Sequence, residues 1–595
     1  MSASHFQMSV QQLQNLLTTA MIPTIIFHGN YILCQQKAAG KRPCPPKESH
    51  SQAFSEENRT AAGWLSGESR STGAEGERKR KFLNLSGKRT VNEYSDCRYL
   101  ICFFVHGDIN VQITDCIIPA YLYQVHRSFI LLWAFLFFRR GIMELITNIV
   151  NSVNTFLWDY ALLILLLGSG VFFTFMLRFI QVRKFGAGMK ALFGNFSLHG
   201  ESGENGLSSF QALTTAIAAQ VGTGNIAGAA TAIAAGGPGA IFWMWVSAFF
   251  GMATIYAEAV MAQHTRVVKD GAFTGGPVYY IQSAFKGRFG RFLAGFFSVA
   301  LILALGFMGN MVQSNSIGDS FKNAFHVSPL AVGICVAIVA GFIFLGGIRR
   351  IARFTEKIVP LMALLYIVGC LIILFTHLSG VADAFKNIFV GAFSPQSVAG
   401  GALGVTVQKA MRYGVARGLF SNEAGMGSTP HAHATADVEH PADQGIIAMM
   451  GVFIDTFIIL TLTALVILST GVWNNGLTGS ALAQSAFDAA FGSFGKIFVA
   501  ICMLFFAFTT IVGWYYFGEV NVRHLFGNKA VKIYAVLVVI FVITGSTLKV
   551  DLVWNMSDMF NGLMVLPNLI GLLACTVVVR RLTKEYEEKK KSQSL

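Results

Sequence analysis

The sequence predicts an all-α polytopic membrane protein. Hydrophobic residues make up 53% of the 595 residues, only 13% are charged, and the mean hydropathy is +0.55. The chain also has 60 glycines, and glycine is commoner in membrane helices than in soluble ones. The formal charge is +14, and the basic residues cluster at the ends of the predicted helices. A positive-inside bias explains that placement better than a phosphate-binding face does, so we expect no nucleic-acid partner.

The first 142 residues differ from the rest of the chain. They mix basic runs such as Arg78–Lys81 with stretches rich in Ser, Gly and Glu, which predicts a poorly ordered extension. The apolar stretch 116–138 is the exception. If it spanned the membrane, Arg139 and Arg140 would lie on the non-cytoplasmic side, against the positive-inside rule. We therefore hypothesise that the biological start is Met143 and that residues 1–142 are a mis-called start; a native, poorly ordered extension is the alternative.

From Met143 onward, the chain contains eleven apolar segments of spanning length. They are residues 156–180, 207–234, 240–263, 292–313, 330–345, 359–377, 397–424, 445–470, 496–517, 531–545 and 559–579. Residues 143–595 are thus predicted to form one membrane domain. It has a leading helix at 156–180, a ten-helix core at 207–579 and a basic tail at 580–595.

Basic residues alternate between the predicted loops, as the positive-inside rule requires. Arg349 and Arg350 lie in one basic loop, and Arg580 and Arg581 begin the tail. The pattern predicts a cytoplasmic C-terminus and, with eleven spans, an N-terminus of the membrane domain on the outside. The loop 426–444 is assigned inside but has no Lys or Arg, so it gives no support.

Two core segments carry sequences that should break a helix. The first contains Val221-Gly-Thr-Gly-Asn225, and the sixth contains 413–425, with three glycines. Broken backbone at membrane depth is tolerated only where it lines a cavity or is buried in protein. The two segments are five spans apart, so a five-helix inverted repeat would place them in corresponding, oppositely oriented positions. Half-helix ends that meet at the midplane attract a carboxylate and coordinate sodium, which favours transport.

Polar residues beside the first break suggest a hydrated site. Gln220, Thr223 and Asn225 lie at one depth, although the glycines at 222, 224 and 228 also fit close helix packing. In the third core helix, Gln313 could bond a substrate amino or carboxylate group, or it could simply mark an interfacial helix end.

The eighth core helix offers two neighbouring hydroxyls. Thr509 and Thr510 could bind a cation opposite Gln220–Gly222, or they could bond back to their own helix. Trp514 follows Thr510 by one turn and could wall a cavity.

The charged residues and the histidines in and after the sixth core segment can be explained by structural roles. Arg417 and Glu423 could form a pair that braces the second break, or either could lie at the cytoplasmic interface. Structural roles are favoured for them and for Glu258. The sequence His431-Ala-His433 resembles metal-ligand spacing, and an intramembrane hydrolase is one alternative function. A solvated loop is the favoured interpretation. A pore with the same core is the other alternative function.

Three motifs resemble the alanine/glycine:cation symporter family of bacteria and archaea: 219–228, 236–245 and 420–428. The resemblance implies sodium-coupled uptake of alanine, and often glycine, by a LeuT-type core, a 5+5 inverted repeat preceded by one extra helix. It implies substrate contacts at Thr223, Gly224, Asn225, Gln313, Ser421, Thr510 and Trp514, and sodium contacts at Gln220, Gly222, Thr509 and Thr510. We accordingly expect a bacterial inner-membrane protein without enzyme activity, a monomer, with no cofactor and with sodium as the coupling ion.

Overall fold

The computed structural model describes residues 144–145, 147–193, 206–269, 271–394, 406–548 and 550–593. The predicted extension 1–142, including the stretch 116–138, lies outside the described residues. In chain order the helices are α1 Thr147–Met176, α2 Ile180–Arg183, α3 Phe185–Phe193, α4 Ser209–Gln220, α5 Ala229–Gly236, α6 Gly239–His264, α7 Pro277–Ala284, α8 Arg288–Phe325, α9 Pro329–Phe344, α10 Gly347–Thr376, α11 Leu378–Phe393, α12 Val407–Asn422, α13 Pro430–His433, α14 Pro441–Ser469, α15 Gly479–Phe491, α16 Ser493–Phe526, α17 Asn528–Gly545, α18 Val550–Ala574 and α19 Thr576–Gln593.

Short non-α elements complete the chain. Strands β1 Val267–Lys269 and β2 Ala272–Thr274 form an antiparallel hairpin between α6 and α7. Wider π-helical turns occur at Leu157–Ala161, Gly224–Gly228, Ile302–Gly309 and Phe453–Leu460, and a 3₁₀ turn at Val472–Asn474. Such π turns are often found at functional sites. Two of these, at Gly224–Gly228 and Phe453–Leu460, flank the candidate site.

The predicted all-α, multi-span architecture is confirmed. Eight helices among the described residues are long and apolar enough to cross a membrane, namely α1, α6, α8, α10, α14, α16, α17 and the part Val553–Ala574 of α18. Helix α9 is a shorter apolar helix. The two remaining predicted spans, 207–234 and 397–424, correspond to the broken segments α4–α5 and α12. The total of eleven spans stays a prediction, because length and composition alone do not assign these last three.

The order of elements repeats. The series α4–α5, α6, α8, α9, α10 is followed by the series α12, α14, α16, α17, α18. Corresponding helices also pack against each other, as α6 does with α14, α8 with α16 and α9 with α17. An odd number of spans per repeat gives the two halves opposite orientation in a membrane. This arrangement brings the two broken segments together at the centre.

The outer helices expose large apolar side chains, and the interior contains buried polar side chains besides an apolar core. Large apolar side chains on the outer helices are exposed, such as Phe342 and Leu345 on and after α9. Polar side chains, in contrast, are buried along the inner helices, including Gln220, Gln313 and Asp455. Apolar exposure is compatible with lipid, and intramembrane polar groups face protein or water cavities. The polar interior is therefore where a functional site is expected.

Helix α4 starts at a defined cap next to a later loop. The Ser208 hydroxyl accepts from the Gln211 backbone amide at 3.1 Å, and the Gln211 side chain accepts from the Ser208 amide at 3.2 Å. This reciprocal capping box fixes the first turn. Just before it, Leu207 exchanges backbone hydrogen bonds with Thr435 and Asp437, each of 2.9 Å. The start of α4 is thereby attached to the loop 426–444.

Candidate functional site

The first helix break lies between α4 and the π turn at Gly224. In an unbroken helix the amide of Gly222 would bond the carbonyl of Ala218. Here the Gly222 amide donates to Asn225 Oδ1 at 2.9 Å, and the Thr223 amide donates to Gln313 Oε1 at 3.1 Å. The Ala218 carbonyl accepts instead from the Thr510 hydroxyl at 3.0 Å. The side chains of Asn225 in the break, Gln313 on α8 and Thr510 on α16 therefore replace the lost helical hydrogen bonds.

The second break follows α12. Glu423 adopts the left-handed conformation, with φ 58° and ψ 10°, and Gly425 follows with φ 94°. The Gly425 amide donates to Glu258 Oε2 at 3.1 Å, and its carbonyl accepts from Asn568 at 2.9 Å. Asn568 also donates to Glu258 Oε1 at 2.6 Å. Glu258 thus has the structural role predicted for it, because it satisfies backbone that the helix no longer does.

The two breaks touch each other. A Cβ added to Gly224 would lie 2.9 Å from the Ser421 Cα, so glycine is required for this approach. The Gln220 side-chain amide donates to the Asn422 carbonyl at 2.7 Å, across the same contact. The prediction that two broken helices face each other is confirmed. Close packing, the other explanation for the glycines, holds for Gly224; a Cβ on Gly228 would reach only the Thr223 carbonyl, at 3.8 Å.

Asp455 joins the two breaks, and the sequence reasoning missed it. Its Oδ1 accepts from the Asn225 side chain at 2.6 Å and from the Ser421 hydroxyl at 2.9 Å. Its Oδ2 accepts from Thr456 at 2.8 Å. The carboxylate is fully buried, and the described residues place no Lys, Arg or His within ion-pair distance of it. A single acid in the apolar stretch 445–470 was the available signal.

Three buried polar atoms at the first break have no hydrogen-bond partner among the described residues. They are Gln220 Oε1, Thr223 Oγ1 and Gln313 Nε2. The residues that carry them are at most 2% exposed. Buried polar groups are normally satisfied, so an unsatisfied cluster indicates a missing ligand, ion or water. These unpartnered atoms and the Asp455 carboxylate are the groups at the two breaks that could bind a polar solute or a cation.

The family is decided by comparison with known proteins. A model of the sodium:alanine symporter family matches residues 143–595. The chain belongs to this family. It is a membrane protein of the class that couples amino-acid transport to sodium, and the resemblance read from the three motifs is confirmed.

Two relatives and one solved structure illustrate what this family member is similar to. The sodium/alanine symporter AgcS of Methanococcus maripaludis is 42% identical over 453 residues, 75% of this chain and 98% of the relative. The probable sodium/glutamine symporter GlnT of Bacillus subtilis is 41% identical over 453 residues, 76% of this chain and 92% of the relative. The crystal structure of MhsT in complex with L-phenylalanine aligns with 64% of this chain and 98% of its own, at 15% identity and a TM-score of 0.47.

The residues singled out from the sequence of this symporter-family chain mostly converge. Gly222 lies against Thr510 and Gln313, because a Cβ on it would be 2.3 Å from the Thr510 hydroxyl and 3.2 Å from Gln313 Oε1. Trp514 is buried one turn further along α16. The Thr510 hydroxyl lies 3.0 Å from the Ala218 carbonyl and also 3.0 Å from the Phe506 carbonyl of its own helix. Thr509 differs, since its hydrogen bonds among the described residues do not reach the first break. Its hydroxyl bonds back to the Phe506 carbonyl at 2.9 Å and lies 3.5 Å from Met362 Sδ, which is the alternative that the sequence left open.

The proposed pair of Arg417 and Glu423 is wrong. Arg417 makes a two-pronged ion pair with Asp558 on α18, with both N–O distances 2.8 Å. The Glu423 carboxylate accepts from the Trp514 indole and from the Ser428 hydroxyl. Arg417 and Asp558 are far apart in the sequence, so no local spacing could have indicated this partnership.

The solvated loop predicted around His431 and His433 is also wrong. Both side chains are 1% exposed, His431 bonding the Ser428 carbonyl and Asn521, and His433 bonding Gln444. Burial lowers the pKa of His431 to about 4 and that of His433 to about 3, because desolvation disfavours the charged ring. Among the described residues no group of three or more His, Cys, Asp and Glu could hold a metal ion. His431 and His433 are therefore buried, hydrogen-bonded residues of the protein interior.

Proposed function

We propose that this chain carries alanine, and with it glycine, into the cell together with sodium by alternating access. Membership of the sodium:alanine symporter family supports sodium-coupled amino-acid transport, and the name of the Methanococcus relative supports alanine. The carrying observation is the buried cluster between the two breaks. It combines unpartnered polar atoms with one carboxylate that no cationic side chain among the described residues neutralises.

The amino acid fits the polarity of the two breaks. The π turn that begins at Gly224 presents the positive end of a half-helix, which attracts the substrate carboxylate. The Thr223 hydroxyl and the Gln313 side-chain amide can donate to that carboxylate, since both lack partners in the described structure. The C-terminal end of α12, near Ser421, carries the negative end of a helix and favours the substrate ammonium group.

Sodium completes the charge balance. A buried carboxylate without a cation is costly, so Asp455 needs a bound cation or a proton. Hard cations prefer oxygen ligands, which Asp455, Ser421 and the unpartnered Gln220 Oε1 can supply. The positions predicted from the resemblance, Gln220, Gly222, Thr509 and Thr510, remain a prediction. Of the two threonines, the Thr510 hydroxyl is the one that the first break contacts.

Coupling follows because both solutes act on the same two segments. A cation beside Asp455 joins Asn225 of the first break to Ser421 of the second, and the substrate bridges the same gap. Each solute should therefore raise the affinity for the other by the same factor, as linkage requires. The protein would then open to the cytoplasm, with its C-terminus on that side of a bacterial inner membrane.

Reconstituted vesicles test this function. Radiolabelled alanine uptake is measured with an inward sodium gradient, with the same gradient of potassium, and with no gradient. We expect saturable uptake that requires the sodium gradient and that glycine inhibits. Uptake without coupling would support a pore instead. Sodium-driven uptake of glutamine but not of alanine would give the specificity that the name of the Bacillus relative suggests.

A further inference from the structure

The candidate site has a second layer, one helical turn beyond the first. In the first layer Thr510 of α16 and Gln313 of α8 meet Gly222. One turn further along α16 stands Trp514, and one turn back along α8 stands Gly309. These two residues meet directly, because a Cβ on Gly309 would be 2.5 Å from the Trp514 ring. The two helices run in opposite directions, so both second-layer residues lie on the same side of the site, the predicted cytoplasmic side.

Trp514 is buried between α8 and α12. Its side chain is 1% exposed, and its ring packs edge-on against Phe420 of α12, with 5.5 Å between ring centroids. The absence of a side chain at Gly309 lets the six-membered ring of the indole approach α8 closely. Packing alone leaves the ring some freedom to tilt about its two side-chain torsions. The indole N–H removes that freedom, because it donates to Glu423 Oε1.

Glu423 occupies a backbone conformation that an ordinary residue avoids. Its φ of 58° lies in the left-handed region, where Gly or Asn would fit with less strain. Its carboxylate is fully buried and accepts hydrogen bonds from the Trp514 indole and the Ser428 hydroxyl. Strain and burial together indicate that this side chain is needed where it is. Its Oε1 accepts the hydrogen bond from Trp514, the second-layer residue on α16.

We propose that Glu423 is a specificity-determining positioning residue, which holds Trp514 across the floor of the pocket and thereby limits the substrate to a small side chain. Glu423 acts through Trp514 and does not itself contact the substrate. The hydrogen bond fixes the height of the indole between α12 and α16. Releasing it frees the ring to rotate about its side-chain torsions, and a longer substrate side chain can then be accommodated. This inference rests on the proposed function, and deepens it by naming what sets the size limit.

Competition experiments test the proposal. Binding of radiolabelled alanine to the purified full-length protein is measured in sodium, and unlabelled serine and glutamine compete. We expect Glu423→Ala to reduce the preference for alanine over glutamine by about tenfold, which corresponds to the loss of one hydrogen bond. Trp514→Phe, which removes the donor but keeps a ring, should reduce it similarly. The double variant should lose little more than either single variant, because both remove the same contact.

Two matched variants separate positioning from charge and from general damage. Glu423→Gln keeps an oxygen that accepts from the indole, so the alanine preference should stay within about twofold of wild type. Ser428→Ala removes the other hydrogen bond to the same carboxylate and should also keep the preference. Equal loss in Glu423→Gln and Glu423→Ala would overturn the proposal, since the charge itself would then be what matters.

The test survives two foreseeable failures. If Glu423→Ala does not fold, the Trp514→Phe and Glu423→Gln variants still test the proposal. An unchanged preference for alanine in Trp514→Phe would refute the role of Trp514 in limiting the size of the substrate. If the wild type transports an amino acid other than alanine, the proposed function fails, but the same ratios are measured for that substrate. The thermal unfolding midpoints of the two single variants and the double variant provide a readout that needs no transport. Additive shifts would show that Glu423 and Trp514 are not coupled.

Discussion

Replacing Asp455 by Asn should remove most of the dependence of substrate binding on sodium. Asn has nearly the same shape, and its one oxygen can still accept from Asn225, which makes the 2.6 Å contact to Oδ1. Its amide group can face Thr456, whose hydroxyl can rotate to accept. The variant should therefore fold, and the main change is the loss of one buried negative charge between the two breaks.

The size of the effect follows from electrostatics. A unit charge about 4 Å from a cation, at an effective dielectric constant of about 20, contributes about 4 kcal/mol. Each 1.4 kcal/mol is about tenfold in affinity, so the full term is close to three orders of magnitude. The Asn oxygen still binds the cation as a dipole and recovers part of this. We expect the half-saturating sodium concentration for alanine binding to rise by about 100-fold or more.

The assay is equilibrium binding of radiolabelled alanine at increasing sodium, with ionic strength held constant by choline. Asp488→Asn is the matched control, since Asp488 forms a partly exposed ion pair with Lys496, with an N–O distance of 3.2 Å. That pair should contribute little, and its loss should leave the sodium curve in place. A wild-type sodium curve in a folded Asp455→Asn variant would refute the role given to this carboxylate.

Three other predictions use the same structure. Gly224→Ala should reduce alanine uptake by about tenfold or more, because the new Cβ would lie 2.9 Å from the Ser421 Cα. The control is Gly228→Ala, which should transport normally because its Cβ would be 3.8 Å from the nearest neighbour. Arg417→Met should lower the free energy of unfolding by about 3–5 kcal/mol in thermal or denaturant unfolding, because it leaves the buried Asp558 unpaired. Adding Asp558→Asn to this variant should restore part of that stability. An Arg417→Met protein with the stability of the wild type would contradict this prediction. Burial lowers the pKa of His433 to about 3, so its stabilising contribution is present above the unfolded pKa of about 6.5 and is lost as the pH falls below that value. Between pH 8 and pH 5 this amounts to about 2 kcal/mol, and the difference between wild type and His433→Gln in unfolding temperature should shrink accordingly; a difference independent of pH would exclude it.

The sequence was sufficient for the parts of the site that lie on one segment. Helix breaks are local, since the glycines around Gly222 and around Gly425 signal them without knowledge of partners. Their meeting could also be predicted, because five-span spacing implies an inverted repeat. The helical spacing of Thr510 and Trp514 likewise placed both on one face of α16.

Contacts between distant segments were beyond local patterns. Asn568 donates a hydrogen bond to Glu258, which lies 310 residues earlier in the sequence. Arg417 pairs with Asp558 rather than with Glu423, which is closer in the sequence. Which charges pair depends on how helices pack, and spacing along one helix does not contain that information. Asp455 is a different case. Its charge in an apolar segment was itself a signal, and the rule that intramembrane acids mark functional sites would have found it.

The central claim is that the two facing breaks hold an amino acid and sodium together. An experimental structure determined in sodium and alanine tests it most directly. We predict density for the amino acid between Gly222–Gly224 and Ser421, with a cation among oxygens that include Asp455. Substrate density away from both breaks, or an Asp455 carboxylate that no cation approaches while alanine is bound, would contradict the account.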